Sequence, residues 1–342
     1  MGMQPFLQKL TAGKGLCADE AQAAMDLIFA GEATPAQVGA FLAALRTKGE
    51  TVEEITGCAR SMRAHCTPVV TRHPVVVDTC GSGGVGVGTF NISSTAAFVV
   101  AAAGLPVAKH GNRAASSRSG SADVLEALGV RIDLQPEHVG ACLDEVGIGF
   151  LFAQRLHGAM RHAAGPRRDL GVRTVFNLLG PLTNPAGAQC QVIGVPEAGL
   201  VPMIASVLAA LGTRHALVVH GQGLDELTLT GPSLVAESDA HGLRTYEVAP
   251  EDVGLRRAPR GAIMGGTPAE NAEISLAVLR GAKGPQRDIV CLNAAAALVA
   301  GDAVADLRQG VERAQAVIDS GAALRKLEEL RAYAAGVAEA AS

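Results

Sequence analysis

Val38, Phe41, Leu42 and Leu45 fall at i, i+3, i+4 and i+7, the spacing of one apolar helix face, and Thr34-Pro35 supplies a helix start ahead of them. Thr51-Val52-Glu53-Glu54 reads as a capping box, with the Thr51 hydroxyl and the Glu54 carboxylate covering orphan helix N–H groups. Residues 1–73 are therefore expected to be helical, and no convergent chemistry stands out in them; a packing or dimerisation domain is the expectation. The pattern changes at Pro74. Val75-Val76-Val77 is a short β-branched run that leads into the glycines of residues 81–88. Beyond it, apolar runs alternate with helical periodicity: a small-residue helix over 94–104, a strand over 105–109, and helices over 121–128 and 137–146. A strand over 148–152 follows, and 192–195, 200–211 and 216–220 continue the rhythm before helical periodicity returns over 270–341. Strands alternating with helices through glycine-rich turns predict a mostly parallel α/β sheet for residues 74–342. With no internal repeat and no Pro-rich linker, the two parts are expected to pack closely.

Composition narrows the function. Of 342 residues 48% are hydrophobic, enough for a large core and too many for a disordered chain. Lys and Arg number 29 against 33 Asp and Glu, so the net charge is −4 and no basic footprint for nucleic acid exists. Aromatics are 3% with no Trp, which argues against a single-strand binder that stacks bases. The seven cysteines are scattered without a C-x-x-C pair and read as reduced thiols. The first ten residues lack a signal-peptide core, and the apolar run 96–105 is too short to span a bilayer. A soluble cytoplasmic protein is expected.

The chemistry concentrates in two loops. Asp78-Thr79-Cys80-Gly81-Ser82-Gly83-Gly84 and the run on to Thr95 take a strand through a glycine loop into a helix that begins near Ser93. Glycines let backbone N–H groups approach anionic oxygens, and the helix start adds its positive dipole end. Asn91, Ser93, Ser94 and Thr95 are short polar groups suited to phosphate or a hydrated metal; read alone, the loop is equally a plain glycine-rich turn. Lys109-His110-Gly111-Asn112-Arg113-Ala114-Ala115-Ser116-Ser117 again follows a strand and precedes a helix. Lys109, Arg113 and Arg118 supply positive charge, and the serines and Asn112 supply directed hydrogen bonds. Two such loops on neighbouring parallel strands fit a ligand with two anionic ends. His110, His157 and His162 are acid–base candidates with no companions at metal-ligand spacing.

These residues resemble anthranilate phosphoribosyltransferases. That family's Gly-Thr-Gly-Gly-Asp loop, Asn-Ile-Ser-Thr helix start and Lys-His-Gly-Asn-Arg loop match Gly81-Ser82-Gly83-Gly84-Val85, Asn91-Ile92-Ser93-Ser94 and Lys109-His110-Gly111-Asn112-Arg113. The likeness continues through Phe150-Leu151-Phe152-Ala153, Met160-Arg161-His162, the run from Arg173 to Pro185, Val219-His220-Gly221 and Gly223-Leu224-Asp225-Glu226-Leu227. The resemblance implies a small N-terminal helical domain beside a larger, mostly parallel-sheet α/β domain of the nucleoside phosphorylase/phosphoribosyltransferase type. It implies transfer of a phosphoribosyl group from phosphoribosyl diphosphate (PRPP) to the amino nitrogen of anthranilate, in tryptophan biosynthesis, by a homodimer joined through the helical domain. PRPP contacts would come from Gly81, Gly84, Val85, Thr89, Asn91, Ile92, Ser93, Ser94, Lys109, His110, Gly111, Asn112, Arg113, Ala114, Ala115, Ser116, Ser117 and Ser121. Gly81, Asn112 and Arg167 would meet anthranilate, and Ser93, Asp225 and Glu226 would hold Mg²⁺. No catalytic residue is assigned: an amine can attack through its lone pair, so positioning suffices, with His110 and Asn112 as orienting groups.

By their residue types alone, Asp225-Glu226 reads as an exposed acidic turn and Arg167 as a solvated helix arginine. Val85 is the one non-conservative departure, an apolar side chain where the family carries a carboxylate near the diphosphate. Two other readings stay open: a pyrimidine nucleoside phosphorylase, which would use a glycine loop for inorganic phosphate, and a non-catalytic nucleic-acid-binding relative.

Overall fold

The computed structural model describes residues 2–83, 88–114 and 118–340. It opens with four helices, α1 (Gln4–Thr11), α2 (Ala18–Phe29), α3 (Pro35–Lys48) and α4 (Val52–Ala64). At the head of α3 the Thr34 hydroxyl accepts the Gln37 N–H and Gln37 Oε1 accepts the Thr34 N–H. The expected stripe Val38, Phe41, Leu42 and Leu45 is buried. Thr51 and Glu54 cap α4 reciprocally, and fully buried Glu54 also accepts the Leu16 N–H and pairs with Lys48 at 2.9 Å.

The rest alternates: β1 (Val77–Gly81), α5 (Ile92–Ala102), β2 (Val107–Gly111), α6 (Ser121–Ala127), α7 (Pro136–Val146), β3 (Ile148–Phe152), α8 (Ala153–Leu156) and α9 (Arg161–Leu170). Then come α10 (Phe176–Leu182), β4 (Cys190–Gly194), α11 (Leu200–Ala210), β5 (His215–His220), β6 (Ser233–Asp239) and β7 (Gly242–Val248). The long C-terminal periodicity resolves into α12 (Pro268–Leu279), α13 (Pro285–Ala300), α14 (Leu307–Asp319) and α15 (Ala322–Ala340). No helix among the described residues is long and apolar enough to cross a membrane.

The sheet order is β3-β2-β1-β4-β5-β6-β7, parallel from β3 to β5 and antiparallel through β6 and β7. Strand alternation divides the core. Val192, Leu217 and Val219 face one cluster, completed by α5, α13 and α14, whereas Ile193, Ala216 and Val218 join the N-terminal helices and α11 in another. The helical layer therefore packs directly on one sheet face.

Two details differ from the pattern reading. The strand opens at Val77, not Val75, because Val77 is where pairing with Val107 and Cys190 begins. The β6–β7 hairpin is not visible in the pattern: β7 is an exposed edge strand, so its residues carry little apolar alternation. Register Gly81↔Gly194 and Gly111↔Phe152 brings the carboxyl ends of β1, β2, β3 and β4 to one side of the sheet.

Candidate active site

At that side the chain inserts Asp225 and Glu226 between strand ends. Asp225 Oδ2 accepts the Gly83 N–H at 3.0 Å, and Glu226 Oε1 accepts the Ser93 N–H at 3.2 Å. A Cβ on Gly81 would stand 2.5 Å from Asp225 Oδ2, so only glycine allows that approach. Both side chains are partly buried, which replaces the exposed acidic turn with an enclosed carboxylate pair. Burial raises both carboxyls, and the Asp225 charge lifts Glu226 further, to about 8. Lys109 and the Ser93 amide and side chain work in the opposite direction on Glu226. Two adjacent carboxylates and a hydroxyl make a hard oxygen donor set, and their raised affinity for protons is relieved when a divalent cation takes the proton's place.

The second loop is anchored from below. Buried Asp78 accepts the His110 N–H at 3.1 Å and the Asn184 amide at 2.8 Å, while Lys109 donates to the Thr79 carbonyl. Burial raises the Asp78 carboxyl and the Lys109 charge offsets part of that rise. Asn112 exchanges backbone bonds with the Ser121 hydroxyl, and its Oδ1 accepts the Arg113 N–H and the Gln154 amide. A Cβ on Gly111 would lie 2.1 Å from Ser121 Oγ. Asp123, unremarkable in the sequence, accepts the N–H groups of both Ala114 and Gly120 at 2.9 Å and so ties the two ends of the loop together.

The two loops meet at Asn91, whose Oδ1 accepts the Ser119 hydroxyl and the buried Asn271 amide. Of the run 91–94, Ile92 and Ser94 are buried in α5, which leaves Asn91 and Ser93 as its accessible polar side chains. Thr89 bridges to Met264. The Arg113 guanidinium pairs with Glu126 at 2.5 Å and Asp123 at 3.1 Å. Gly84, Val85, Ala115, Ser116 and Ser117 lie outside the described residues.

His110 and His157 form a buried pair, Nε2 to Nε2 at 3.1 Å, and His110 Nδ1 lies 3.1 Å from the Gly180 carbonyl. That carbonyl requires a proton on Nδ1, so His110 Nε2 accepts and His157 Nε2 donates. Burial pushes His110 down to about 3 and His157 to about 4, with the pair's mutual repulsion contributing at His110. Both folded values lie below the unfolded one, so the unfolded chain binds the extra protons. The pair's contribution to stability therefore falls as pH drops from about 6.5 toward 4. Nitrogen NMR should find both rings neutral from pH 8 to about 5; a ring titrating near its unperturbed value would refute the burial argument.

Arg167 sits in the last turn of α9, half-buried, with its guanidinium 4.8 Å above the Phe176 ring. That group makes no hydrogen bond or ion pair with any described residue, and burial lowers its pKa. It makes no direct bond to Asn112 or Gly81, its partners in the expected anthranilate site. The site thus joins two braced loops, an enclosed carboxylate pair for a hard cation, and an arginine with no counter-charge among the described residues.

Residues 73–324 match the a/b domain of the glycosyl transferase family, and residues 4–66 match that family's helical bundle domain. The anthranilate phosphoribosyltransferase of Moorella thermoacetica is 59% identical over 328 residues, covering 96% of this chain and 97% of its own length. That of Symbiobacterium thermophilum is 59% identical over 332 residues, 97% of each chain. The Thermus thermophilus anthranilate phosphoribosyltransferase structure superposes with a TM-score of 0.92 at 47% identity, over 96% of this chain and 98% of the other. The Saccharomyces cerevisiae enzyme, solved in complex with PRPP and Mg, gives a TM-score of 0.89 at 28% identity over 98% of both chains.

Proposed function

The chain belongs to the anthranilate phosphoribosyltransferase family, and from that premise we propose how its own residues carry the reaction. The enzyme transfers the phosphoribosyl group from PRPP to the amino nitrogen of anthranilate and releases diphosphate, a step of tryptophan biosynthesis. The observation that carries the residue assignment is the meeting at Asn91 of two anion-suited loops, after β1 and β2, the first of which also bonds the Asp225–Glu226 pair.

In this reading the loop from Gly81 and the start of α5 at Asn91 and Ser93 receive the diphosphate and ribose phosphate, with Lys109, Asn112 and Ser121 completing the cradle. Preorganised amides and cations stabilise charge that grows on the leaving oxygens as the C–O bond breaks. Ser93, Asp225 and Glu226 would hold Mg²⁺, which when bound would neutralise part of that charge. Arg167 orients anthranilate by its carboxylate, so that the amine lone pair faces the ribose carbon. Positioning then does most of the catalysis, and the neutral His110–His157 pair shapes the acceptor pocket without needing to ionise. Arg113, committed to Asp123 and Glu126, contributes its backbone and the loop's shape in place of a phosphate-binding charge. The proposal extends to a homodimer through the α1–α4 layer and to a reducing cytoplasmic setting, which suits seven free thiols.

Incubating the protein with PRPP, Mg²⁺ and anthranilate should quench anthranilate fluorescence and release diphosphate, with both signals abolished by excess EDTA. A folded protein that binds PRPP yet leaves the amine unconsumed would refute the assignment. Phosphate-dependent cleavage of a pyrimidine nucleoside would point to a phosphorylase instead.

A further inference from the structure

An asparagine lies in the middle of the apolar helix α13, where Leu292, Ala294, Ala295, Ala296 and Ala297 are all buried around it. Asn293 is 4% exposed, and a carboxamide so placed costs stability unless its polar atoms are paired. All of its groups are paired. Its Oδ1 accepts the Leu227 N–H at 2.9 Å, and its Nδ2 donates to the Leu227 carbonyl at 3.0 Å and to the Ile289 carbonyl at 2.9 Å. The side chain therefore grips both backbone groups of the residue that follows Glu226, much as a neighbouring strand would.

The same short segment is wedged on its other sides. A Cβ on Gly194 would come within 1.6 Å of the Asp225 carbonyl oxygen, and one on Gly221 within 2.4 Å of the Glu226 carbonyl oxygen. With Gly81 beneath the Asp225 carboxylate, three glycines at the ends of adjacent strands β1, β4 and β5 receive the segment, and Asn293 closes the fourth side. Asn293 also lines one small cavity together with Thr79, Ser93 and Glu226.

We infer that Asn293 is a positioning residue for the cation site, fixing the Leu227 peptide so that the Asp225–Glu226 pair stays presented toward Ser93. The inference rests on the proposed reading of Asp225 and Glu226 as cation ligands. Adjacent carboxylates repel, and a segment free to rotate would separate them or turn one toward water. A carboxamide that holds the N–H and C=O of one residue at once removes that freedom. Outer groups that orient metal ligands carry such effects generally, at about 10- to 100-fold in metal affinity.

The test compares the full-length parent, Asn293→Leu and Glu226→Gln, with free Mn²⁺ counted by electron paramagnetic resonance and thermal unfolding recorded in EDTA. Asn293→Leu keeps the forked side-chain shape, with bulkier ends, and removes all three bonds. Its half-saturating Mn²⁺ should rise about tenfold or more, with the KM for anthranilate within about twofold of the parent. A folded Asn293→Leu protein with parental Mn²⁺ binding, beside a Glu226→Gln protein that has lost it, overturns the positioning role alone. Parental Mn²⁺ binding in Glu226→Gln overturns the ligand reading underneath it. Should Asn293→Leu fail to fold, hydrogen exchange on the parent decides: the Leu227 amide is expected to be protected as strongly as the α13 amides, and exchange at an open-loop rate would refute the clamp.

Discussion

Asp225→Asn is expected to lower kcat/KM at saturating Mg²⁺ by about a hundredfold or more, while the metal-free protein melts no earlier than the parent. The two halves share one cause. Asp225 and Glu226 are adjacent carboxyls, both driven upward by burial, and the Asp225 charge is the next largest reason that Glu226 reaches about 8. Asparagine keeps an oxygen for the Gly83 N–H, which lies 3.0 Å from Asp225 Oδ2, and removes the charge. Without a cation, the cost of burying the Asp225 charge beside Glu226 disappears and only the weaker attraction to Arg173 is lost, so the melting temperature should hold or rise. With the cation needed, one of two anionic ligands is gone. A loss of about 3 kcal/mol of transition-state stabilisation corresponds to roughly a hundredfold. Calorimetry in EDTA and steady-state kinetics across a Mg²⁺ titration test both halves. A drop of less than threefold would remove Asp225 from the cation site, and a large fall in melting temperature would show that its charge stabilises the fold.

That repulsion also marks the boundary of what the sequence discloses. The caps at Thr34 and Thr51 and the stripe from Val38 to Leu45 are legible because every partner lies within a few residues. The two loops are legible for the same reason: the glycines, hydroxyls and cations that suit phosphate stand side by side. The environment of Asp225 and Glu226 is not. It is built by Gly81, Gly194 and Asn293, which approach from β1, β4 and α13, and residue type alone cannot report such encounters. Arg113 has a partner set that the sequence does not show either. Its charge beside a serine run suggests phosphate, but α6 folds back to bring Glu126 and Asp123 within ion-pair distance. Val75 and Val76 carry the β propensity, yet pairing with β2 and β4 begins only at Val77, since register belongs to the neighbours. Asp78 and Asp123, which anchor the second loop, give no local sign of their partners.

Arg167→Ala should raise the KM for anthranilate by about 10- to 100-fold and shift that for PRPP by no more than about threefold. The guanidinium is half-buried, stacked 4.8 Å over Phe176, and has no anionic partner among the described residues. A cation held away from water without a counter-charge is ready to receive one, and burial, which lowers its pKa, would be offset by a bound carboxylate. A hydrogen bond to a charged group contributes about 1.5–3 kcal/mol, the origin of the expected factor. The fold should tolerate the change, since the contact with Phe176 is worth only about 0.5–1 kcal/mol and no ion pair is broken. Arg167→Lys sharpens the test. Lysine keeps the charge but loses the planar fork that grips both carboxylate oxygens and lies flat on the ring. It is expected to stay closer to alanine than to the parent in anthranilate KM. Full recovery by lysine would mean that charge alone matters. An Arg167→Ala enzyme with parental dependence on anthranilate would place the acceptor's carboxylate elsewhere.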